Sequence, residues 1–427
     1  MALASPLAAD LQEPGMPLVT PSLAQIQREA LALRENATIT GARDQAIALF
    51  KASDSATVAD GLSTLEGALD EMIFGVLLGI AGNNPLNPEV VWSGHLPYTS
   101  HGLSVPGSRY ADSPDRIYRS IPVNPDYSYE ITGRRNPLYP SLDFSIEAIP
   151  PPSLWGQPTD SLQARDIEVA GDGTFTITAD AGGAEGRKNH LQLAPGTTNI
   201  LIRDTLSDWA SQRPNGIRVA VTERVGEQPP KPAEIAERAA SEIVATAQST
   251  VAFLEQMVWN KPVNQLSAFQ RTVEQGMPGG IFAASRFSVA DDEALVITLD
   301  PLGAAYMGIQ VSDLWMRSTV YDRHSTSLNN RQAIANEDGS FTLILSRKDP
   351  GYVNWLDAGN LGDGIVMVRW ELLSGPVDVN SAIRQVRKIR LSDLDSHLAG
   401  TQKKVSPGER VNILEKRHQA YQFRLTE

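Results

Sequence analysis

The segment DGSFTLILSRKDPGYVNWLDAGNLGDGIVMVRW, residues 338–370, contains two apolar runs on either side of an Asn-Trp-Leu loop. A similar segment, DGTFTITADAGGAEGRKNHLQLAPGTTNILIR, already occurs at residues 172–203. Both segments begin with Asp-Gly, which is a turn signal leading into a strand. The runs FTLIL and IVMVRW predict two neighbouring strands in a hydrophobic core.

An ordered series of matches extends this similarity along the chain. The matched residues, at an offset of 165 to 167, are Ile131-Thr132 with Ile297-Thr298, Tyr139 with Tyr306, Phe175 with Phe341, Asn189 with Asn354, and Arg203 with Arg369. A series that keeps one order and nearly one offset indicates an internal duplication. Each copy is predicted to be an antiparallel β-sandwich or jelly-roll-like unit.

The chain outside the two copies has helical periodicity, so the predicted fold class is α+β. Ser22 with Gln25, and Ser406 with Glu409, have the spacing of capping boxes. A helix is also predicted at residues 233–259. The predicted regions are a helical N-terminal region at 1–88, a first β unit at 89–226, a helical connector at 227–280, a second β unit at 281–376, and a basic C-terminal segment ending in a helix at 377–427.

Composition and charge restrict the classes of function. The 427-residue chain has a net charge of −13, which argues against nucleic acid as a partner. It has no cysteine, which excludes disulfides and thiolate metal sites and fits a cytoplasmic location. The most apolar stretch, residues 72–82, is too short to span a membrane. A small-molecule substrate is the expected partner, and the oligomeric state, including a homo-oligomer, stays open.

Several motifs of the second copy occur in the order known from one bacterial family. They are LWMRSTVYD at 314–322, Asp-Gly-Ser-Phe-Thr at 338–342, Asn-Trp-Leu at 354–356 and Val-Arg-Trp at 368–370. On these residues, the segment from about 290 to 373 resembles the family called domain of unknown function twelve-fourteen. The resemblance implies a jelly-roll-like domain, often found in bacteria that degrade small organic molecules, and no catalytic residue. Asp357 follows Asn-Trp-Leu where relatives with a companion domain often have proline, which places the chain outside that branch.

Common catalytic motifs are absent from the sequence. There is no glycine-rich phosphate loop at a strand-to-helix junction, no Gly-x-Ser-x-Gly elbow and no His-Glu-x-x-His. Nucleotide-dependent enzymes, common α/β serine hydrolases and helical zinc proteases are therefore disfavoured. No motif identifies a cofactor.

The first candidate site is the loop WSGHLPYTSHG, residues 92–102. It combines His95, Tyr98 and His101, and imidazole and phenol groups transfer protons or stabilise developing charge. The loop joins the helical region to the first β unit, where ligand sites often form. A polar surface loop without function is the alternative interpretation.

The second candidate site is VYDRHSTSLNNR, residues 320–331, which contains Tyr321, Asp322 and His324. On a strand, alternation places Asp322 and His324 on one face, where the carboxylate can orient the imidazole. The alternative is a strand end with solvated charges.

The duplicated polar residues are predicted to be structural. Asn189 and Asn354 are expected to stabilise equivalent turns through their side chains. Arg203 and Arg369 lie late in apolar runs and therefore need buried partners, either in structural ion pairs, which we favour, or in an anion site.

Three hypotheses of function remain. The first is an enzyme of bacterial small-molecule catabolism that acts on an aromatic, terpenoid or steroid-like substrate by acid/base lyase or hydrolase chemistry. The second is a metal- or haem-dependent oxygenase with His95, His101 or His324 as ligands. The third is a non-catalytic protein that binds a ligand or carbohydrate.

Overall fold

The computed structural model describes residues 17–151, 157–224, 232–271, 279–398 and 400–426. Helices and mostly antiparallel sheets occur in separate parts of the chain, which confirms the predicted α+β class. No described helix is long and apolar enough to cross a membrane.

Three helices form the N-terminal region: α1 (Pro21–Leu33), α2 (Ala37–Lys51) and α3 (Ala59–Ala81). The predicted capping box of Ser22 and Gln25 is wrong. The cap is Thr20, whose hydroxyl accepts a 3.1 Å hydrogen bond from the backbone N–H of Leu23. The helix begins at Pro21 because proline is already in a helical conformation and needs no backbone donor there.

A fourth helix, α4 (Pro232–Leu254), ends in a π-helical turn at Glu255–Trp259. Its buried face includes Ala239, Ile243 and Ala247, which belong to the same hydrophobic core as α1, α2 and α3. The predicted connector is therefore part of the helical layer. It brings this layer against both β units.

The strands of the first β unit are β1 (Val91–Ser93), β2 (Tyr98–Ser100), β3 (Leu103–Val105), β4 (Arg116–Pro122), β5 (Ser128–Arg134), β6 (Asp143–Ile149), β7 (Asp160–Gln163), β8 (Thr174–Asp180), β9 (His190–Gln192), β10 (Asn199–Thr205) and β11 (Gly216–Glu223). One sheet has the order β1-β4-β10-β6-β7 and the other β11-β5-β8-β9, while β2 and β3 form a separate hairpin. Apolar side chains from both larger sheets, such as Ile146, Ile177 and Ile202, share one core.

The strands of the second β unit are β12 (Ala268–Gln270), β13 (Ile281–Ser288), β14 (Glu293–Leu299), β15 (Tyr306–Ser312), β16 (Ser327–Asn329), β17 (Phe341–Ser346), β18 (Trp355–Asp357), β19 (Asp363–Glu371) and β20 (Ile383–Arg390). Its sheets have the orders β12-β13-β19-β15-β16 and β18-β17-β14-β20. These orders repeat those of the first unit: β12-β13-β19-β15-β16 matches β1-β4-β10-β6-β7, and β20-β14-β17-β18 matches β11-β5-β8-β9. The final pair of each shorter sheet, β8 with β9 and β17 with β18, is parallel in both units. This shared topology is what an internal duplication predicts.

The pairing register agrees with one sequence match and corrects another. Asp143 pairs with Thr205 in the first unit, and Tyr306 pairs with Glu371 in the second. Asp143 is therefore the structural counterpart of Tyr306. The predicted match of Tyr139 with Tyr306 is wrong, because Tyr139 is exposed in the loop before β6.

The match of Ile131 with Ile297 is correct. Ile131 pairs with Ile177, and Ile297 pairs with Leu343, at equivalent positions of β5–β8 and β14–β17.

Two expectations about neighbouring segments also change. The runs FTLIL and IVMVRW correspond to β17 and β19, which lie in opposite sheets rather than side by side. The sequence IRQVRKIR, predicted in the basic C-terminal segment, forms the edge strand β20 of the second unit. Its charged residues are mostly exposed, as is common where an edge must not pair with another chain.

The C-terminal helices are α5 (Leu394–His397) and α6 (Pro407–Thr426). The capping box at the start of α6 is confirmed. Ser406 N–H donates to Glu409 Oε2 at 2.8 Å, and Glu409 N–H donates to Ser406 Oγ at 3.3 Å.

Asn189 and Asn354 have the same structural role in the two units. The Asn189 side chain accepts from the N–H and donates to the carbonyl oxygen of Glu168, at 2.7 and 2.8 Å. Asn354 does the same with Ile334, at 2.8 and 2.7 Å. Asn354 is fully buried and also donates to the Thr342 carbonyl oxygen at 3.0 Å, whereas Asn189 is only half-buried.

We expect Asn354→Ala to lower the free energy of unfolding by about 2–4 kcal/mol, because it leaves buried backbone groups unpaired. The matched variant Asn189→Ala should cost about 1 kcal/mol, because water can replace its contacts. Denaturant unfolding of both variants measures the difference. Equal costs for the two variants would contradict this account of the duplicated turn.

Candidate functional site

The first predicted cluster is divided between the interior and the surface. His95 is fully buried between Trp92 and Tyr98, with ring centroids 4.8 and 4.9 Å away. Its Nδ1 lies 3.0 Å from the Leu96 carbonyl oxygen, and Nε2 is buried without a hydrogen-bond partner among the described residues. Burial lowers the pKa of His95 to about 4, so the imidazole is neutral at neutral pH.

Tyr98 and His101 lie in different surroundings. Tyr98 is buried, and its hydroxyl accepts a hydrogen bond of 2.6 Å from Gln27 Nε2 of α1. His101 is exposed at the turn between β2 and β3, where its Nδ1 is 2.8 Å from Ser100 Oγ. The prediction that His95, Tyr98 and His101 form one site is therefore wrong, because the hairpin carries His101 away from the core.

In the second predicted cluster, Asp322 and His324 each form a hydrogen bond with a different residue. Asp322 pairs with His418 of α6, with 2.7 Å between Oδ2 and Nδ1. His324 pairs with Asp357 at 2.9 Å, and this hydrogen bond raises the pKa of His324. The predicted pair of Asp322 and His324 is wrong, because residues 320–324 do not form a strand and the alternation of a strand does not apply.

Tyr321 belongs to an aromatic cluster that holds the C-terminal helix. Its ring is fully buried and lies 6.1 Å from that of Trp209 and 5.6 Å from that of Tyr421 on α6. The guanidinium of Arg417, also on α6, donates to the carbonyl oxygen of Tyr321 and lies over Trp209. These contacts place Tyr321 in the packing of α6.

The histidines predicted as oxygenase ligands do not come together. His95 is buried, His101 is exposed, and His324 is bound to Asp357. In the part of the chain that the structure describes, no group of three or more His, Asp or Glu side chains is arranged to hold a metal ion.

A cavity of about 380 Å³ lies between the helical layer and the β1-β4-β10-β6-β7 sheet. Helix α3 contributes apolar side chains, including Met72 and Val76. The sheet contributes Tyr118 of β4, and Leu201 and Arg203 of β10. Residues of α4 complete the wall.

The cavity has a buried end and an exposed end. At one end, Met72, Ser108 and Asp112 are at most 5% exposed. At the other end, Pro151 and Arg238 are exposed to solvent. A ligand can therefore enter from the surface and reach buried polar groups.

Two glycines of α3 leave room for this cavity. Gly75 and Gly79 line it one helical turn apart, and a Cβ atom at either position would meet no atom within 4 Å. Larger side chains at these positions would occupy the free space beside the helix. Glycine also lowers helix stability relative to alanine, so the sequence maintains this space at a cost in stability.

Asp112 is a buried carboxyl group in the cavity wall whose pKa lies near neutral pH. Its Oδ1 accepts a hydrogen bond from Ser318 Oγ, whereas Oδ2 is buried without a partner among the described residues. Burial raises the pKa of Asp112 to about 7, and the hydrogen bond from Ser318 only partly opposes this shift. Both protonation states are therefore populated near neutral pH.

Asp112 is the last residue of the segment 108–112, which has hydrogen bonds to the helical layer and to both β units. Ser108 Oγ accepts from the N–H of Gly94 at 3.0 Å, and Tyr110 pairs with Thr250 of α4. The N–H of Ala111 donates to a carbonyl oxygen of the second β unit at 3.0 Å. The segment therefore joins both β units and the helical layer at the cavity.

A buried ion pair anchors the same segment to α3. Glu71 accepts hydrogen bonds from the backbone N–H and Nε of Arg109, both at 3.0 Å, and from its Nη2. Arg317 of the second unit lies 3.5 Å from the same carboxylate. These contacts hold the pKa of Glu71 below its usual value despite burial, which opposes them.

Asp112 is not among the residues predicted from the sequence. Its partner Ser318, and the Glu71 that holds the same segment, are distant in the chain, so no local pattern marks the segment as a site. The predicted region is nevertheless adjacent, because Ser93 and Gly94 line the cavity immediately before His95. The histidine itself points elsewhere, between Trp92 and Tyr98.

Comparison with known proteins gives a similar fold. A crystal structure of an uncharacterised protein from Burkholderia cenocepacia matches with a TM-score of 0.70 and 21% identity, covering 86% of this chain and 100% of that chain. The VPA0106 protein from Vibrio parahaemolyticus matches with a TM-score of 0.42 and 10% identity, covering 82% and 99%. The first similarity shows a shared fold.

No family model and no curated protein matches the chain. The resemblance of residues 290–373 to the domain of unknown function twelve-fourteen family therefore stays a prediction.

Proposed function

We propose that the chain binds a small, largely apolar molecule in the cavity and that Asp112 exchanges a proton with it. The observation that carries this proposal is a buried carboxyl group with a pKa of about 7 in the wall of a mostly apolar cavity. The corresponding class of function is acid/base lyase or hydrolase chemistry in small-molecule catabolism.

The chemistry of the cavity supports this choice. An acid/base group is most effective when its pKa lies near the working pH, because both forms are then available. Perturbed carboxyl groups in clefts are often functional, although structural networks also produce them. The apolar side chains of α3 favour a hydrophobic body, and the buried polar end can orient a reacting group.

A non-catalytic binding protein is the second candidate. The observation that favours it is the hydrogen bond from Ser318 to Asp112, which gives the carboxyl group a structural role between the two β units. In this case the cavity would hold a ligand without converting it.

We further propose that both β units are jelly-roll-like, and that the second is related to the domain of unknown function twelve-fourteen family. The repeated strand orders and the ordered motifs of residues 314–370 support this assignment. A cytoplasmic location is also proposed, supported by the absence of cysteine.

A leucine placed in the cavity tests the binding proposal. We expect hydrophobic compounds that raise the melting temperature of the wild type to have no effect on Gly75→Leu, because its side chain fills the cavity. Gly41→Leu is the matched control, since Gly41 is also helical and also has free space at its Cβ position, but does not line the cavity. Thermal-shift screening of aromatic, terpenoid and steroid compounds provides the measurement.

Compounds selected in this way are then assayed for turnover with the wild type and Asp112→Asn. We expect a loss of about a hundred-fold or more, as for removal of a general acid or base. Compounds that stabilise Gly75→Leu equally well would contradict the cavity as the binding site. Unchanged turnover in Asp112→Asn would contradict its catalytic role, and binding without any turnover would support the binding protein.

A further inference from the structure

We propose that the cavity ligand is an amphiphilic anion, with a carboxylate or equivalent acidic group received by Arg203 and an apolar body along α3. This inference rests on the proposed binding of a ligand in the cavity. It specifies that the ligand is negatively charged and that its acidic group lies against the β1-β4-β10-β6-β7 sheet.

Arg203 lies on the face of β10 that is turned toward the helices. Ile200 and Ile202 point into the core of the first β unit, and the alternating residues Leu201 and Arg203 line the cavity. The guanidinium pairs with Glu147, with 2.5 Å between Nη1 and Oε1. The guanidinium carbon also lies 6.0 Å from the centroid of the Tyr118 ring, which lines the same cavity. The ion pair with Glu147 uses Nη1, and the proposed ligand would accept from Nε and Nη2.

The groups around Arg203 add positive charge. Arg271 and Arg369 both lie over the ring of Phe282, with 4.9 and 5.5 Å between each guanidinium carbon and the ring centroid. Neither forms an ion pair with a carboxylate among the described residues, and Arg369 donates instead to the neutral Gln310. Glu371 is the carboxylate whose charge acts on both guanidiniums, and it also pairs with Arg116, so three arginines share one carboxylate.

The pKa of Arg271 reflects the positive charge of the neighbouring arginines. Burial, together with Arg369, Arg116 and Arg203, lowers the pKa of Arg271 to about 10, and Glu371 opposes these effects. A bound anion would relieve the mutual repulsion of these cations.

Glu242 of α4 is a carboxylate in the cavity wall, and four others lie near the arginines, either paired or held toward the neutral form. Glu147 pairs with Arg203, and Glu371 pairs with Arg116. Burial raises the pKa of Asp112 to about 7, and burial and the neighbouring Glu371 also raise the pKa of Asp143. An incoming carboxylate therefore meets less repulsion than the number of acidic residues would imply.

The chemistry of Arg203 suits a carboxylate. A guanidinium presents planar N–H donors that match two carboxylate oxygens, and such charge-assisted bonds are stronger than neutral ones. The apolar body would extend from there past Gly75 and Gly79 toward the exposed end of the cavity. Hydrophobic organic acids are therefore the expected class of ligand.

Two fluorescent dyes with nearly the same skeleton test this inference. 1-Anilinonaphthalene-8-sulfonate carries an anionic group, and N-phenyl-1-naphthylamine lacks it. We expect the wild type to bind the sulfonate at least about tenfold more tightly, which corresponds to about 1.4 kcal/mol. Fluorescence titration of the folded, full-length chain measures both dissociation constants.

The double variant Arg203→Gln/Glu147→Gln removes the cation without leaving Glu147 buried and unpaired. We expect the ratio of the two dissociation constants to fall to about 1 in this variant. The control variant Arg43→Gln/Glu66→Gln removes a partly exposed pair that does not line the cavity and should keep the wild-type ratio. Gly75→Leu should weaken both dyes.

The outcomes separate the two proposals. Equal binding of both dyes to the wild type, with loss of both in Gly75→Leu, would overturn the anionic ligand and leave cavity binding intact. A preference for the sulfonate that persists in the Arg203→Gln/Glu147→Gln variant would also overturn it. Failure of both dyes to bind, or full binding to Gly75→Leu, would overturn the proposed binding in the cavity together with this inference.

Discussion

Glu71→Ala should lower the free energy of unfolding by about 3–5 kcal/mol. The variant removes the carboxylate that accepts three hydrogen bonds from Arg109 and leaves that guanidinium buried without its partner. Chemical denaturation at neutral pH measures the loss. Glu66→Ala on the same helix is the matched control, because Glu66 pairs with Arg43 at the surface and should cost less than about 1 kcal/mol.

The double variant Glu71→Ala/Arg109→Met distinguishes the unpaired charge from lost packing. It should recover part of the stability lost in Glu71→Ala, because no buried charge remains without a partner. If Glu71→Ala and Glu66→Ala cost the same, the ion pair of Glu71 and Arg109 is not buried in solution in the way the structure describes.

The same pair has a consequence for the proposed site. Arg109 lies between Ser108 and Tyr110, and this segment carries Asp112 at its end. Loosening Arg109 should therefore weaken ligand binding in variants that remain folded. The ion pair of Glu71 and Arg109 would thus hold in place the segment that supplies polar groups to the proposed binding cavity.

The duplicated β units could be predicted from the sequence because their determinants are local. Asp-Gly turns, alternating apolar residues and the paired asparagines each act within a few residues. The match of Tyr139 with Tyr306 is wrong because the residue offset between the two units changes where their loops differ in length. Asp143 of β6 occupies the position that corresponds to Tyr306 of β15. A constant offset is therefore reliable within a strand pair and unreliable across a loop.

The site could not be predicted in the same way, because its determinants are tertiary. His95, Tyr98 and His101 are close in sequence, yet the fold buries the first two and exposes the third. Burial raises the pKa of Asp112, and the hydrogen bond from Ser318, which lies far along the chain, partly opposes this shift. A cluster of reactive residue types in one loop therefore does not show which of them share surroundings in the folded chain.

The pH dependence of stability should separate Asp112 from His95, because the two groups act in opposite directions. The pKa of Asp112 is about 7 in the folded state, against about 4 for an unfolded aspartate. Between these two pH values, Asp112 is protonated in the folded state and ionised in the unfolded state. Its contribution to the free energy of unfolding therefore increases as the pH falls from about 7 to 4. Above pH 7 the buried charge costs up to about 4 kcal/mol.

His95 has the opposite sign. Its pKa is about 4 in the folded state and about 6.5 when unfolded. The unfolded state binds the extra proton between these values, so stability from this group is lost as the pH falls from about 6.5 to 4, by about 3 kcal/mol. In the wild type, the opposite pH dependences of Asp112 and His95 largely cancel between about pH 4 and 6.5.

Single variants should reveal the two slopes. Asp112→Asn keeps an oxygen that can accept from Ser318, and we expect it to be more stable than the wild type at pH 8 and to lose this advantage at pH 4. His95→Phe keeps a ring between Trp92 and Tyr98, and its stability relative to the wild type should rise as the pH falls below about 6.5. Denaturant unfolding at pH 4, 6 and 8 measures both, and the differences from the wild type remove the background of other titrating groups.

The result for Asp112→Asn also decides the premise of the proposed chemistry. A profile parallel to that of the wild type from pH 4 to 8 would mean that Asp112 titrates like an exposed aspartate, and the argument for an acid/base group would fail. A difference that grows between pH 4 and 7 and stays constant above pH 7 would place its pKa near 7 in the folded protein. Turnover or ligand binding that changes over the same interval would then connect this carboxyl group to the cavity, because a purely structural aspartate would alter stability alone.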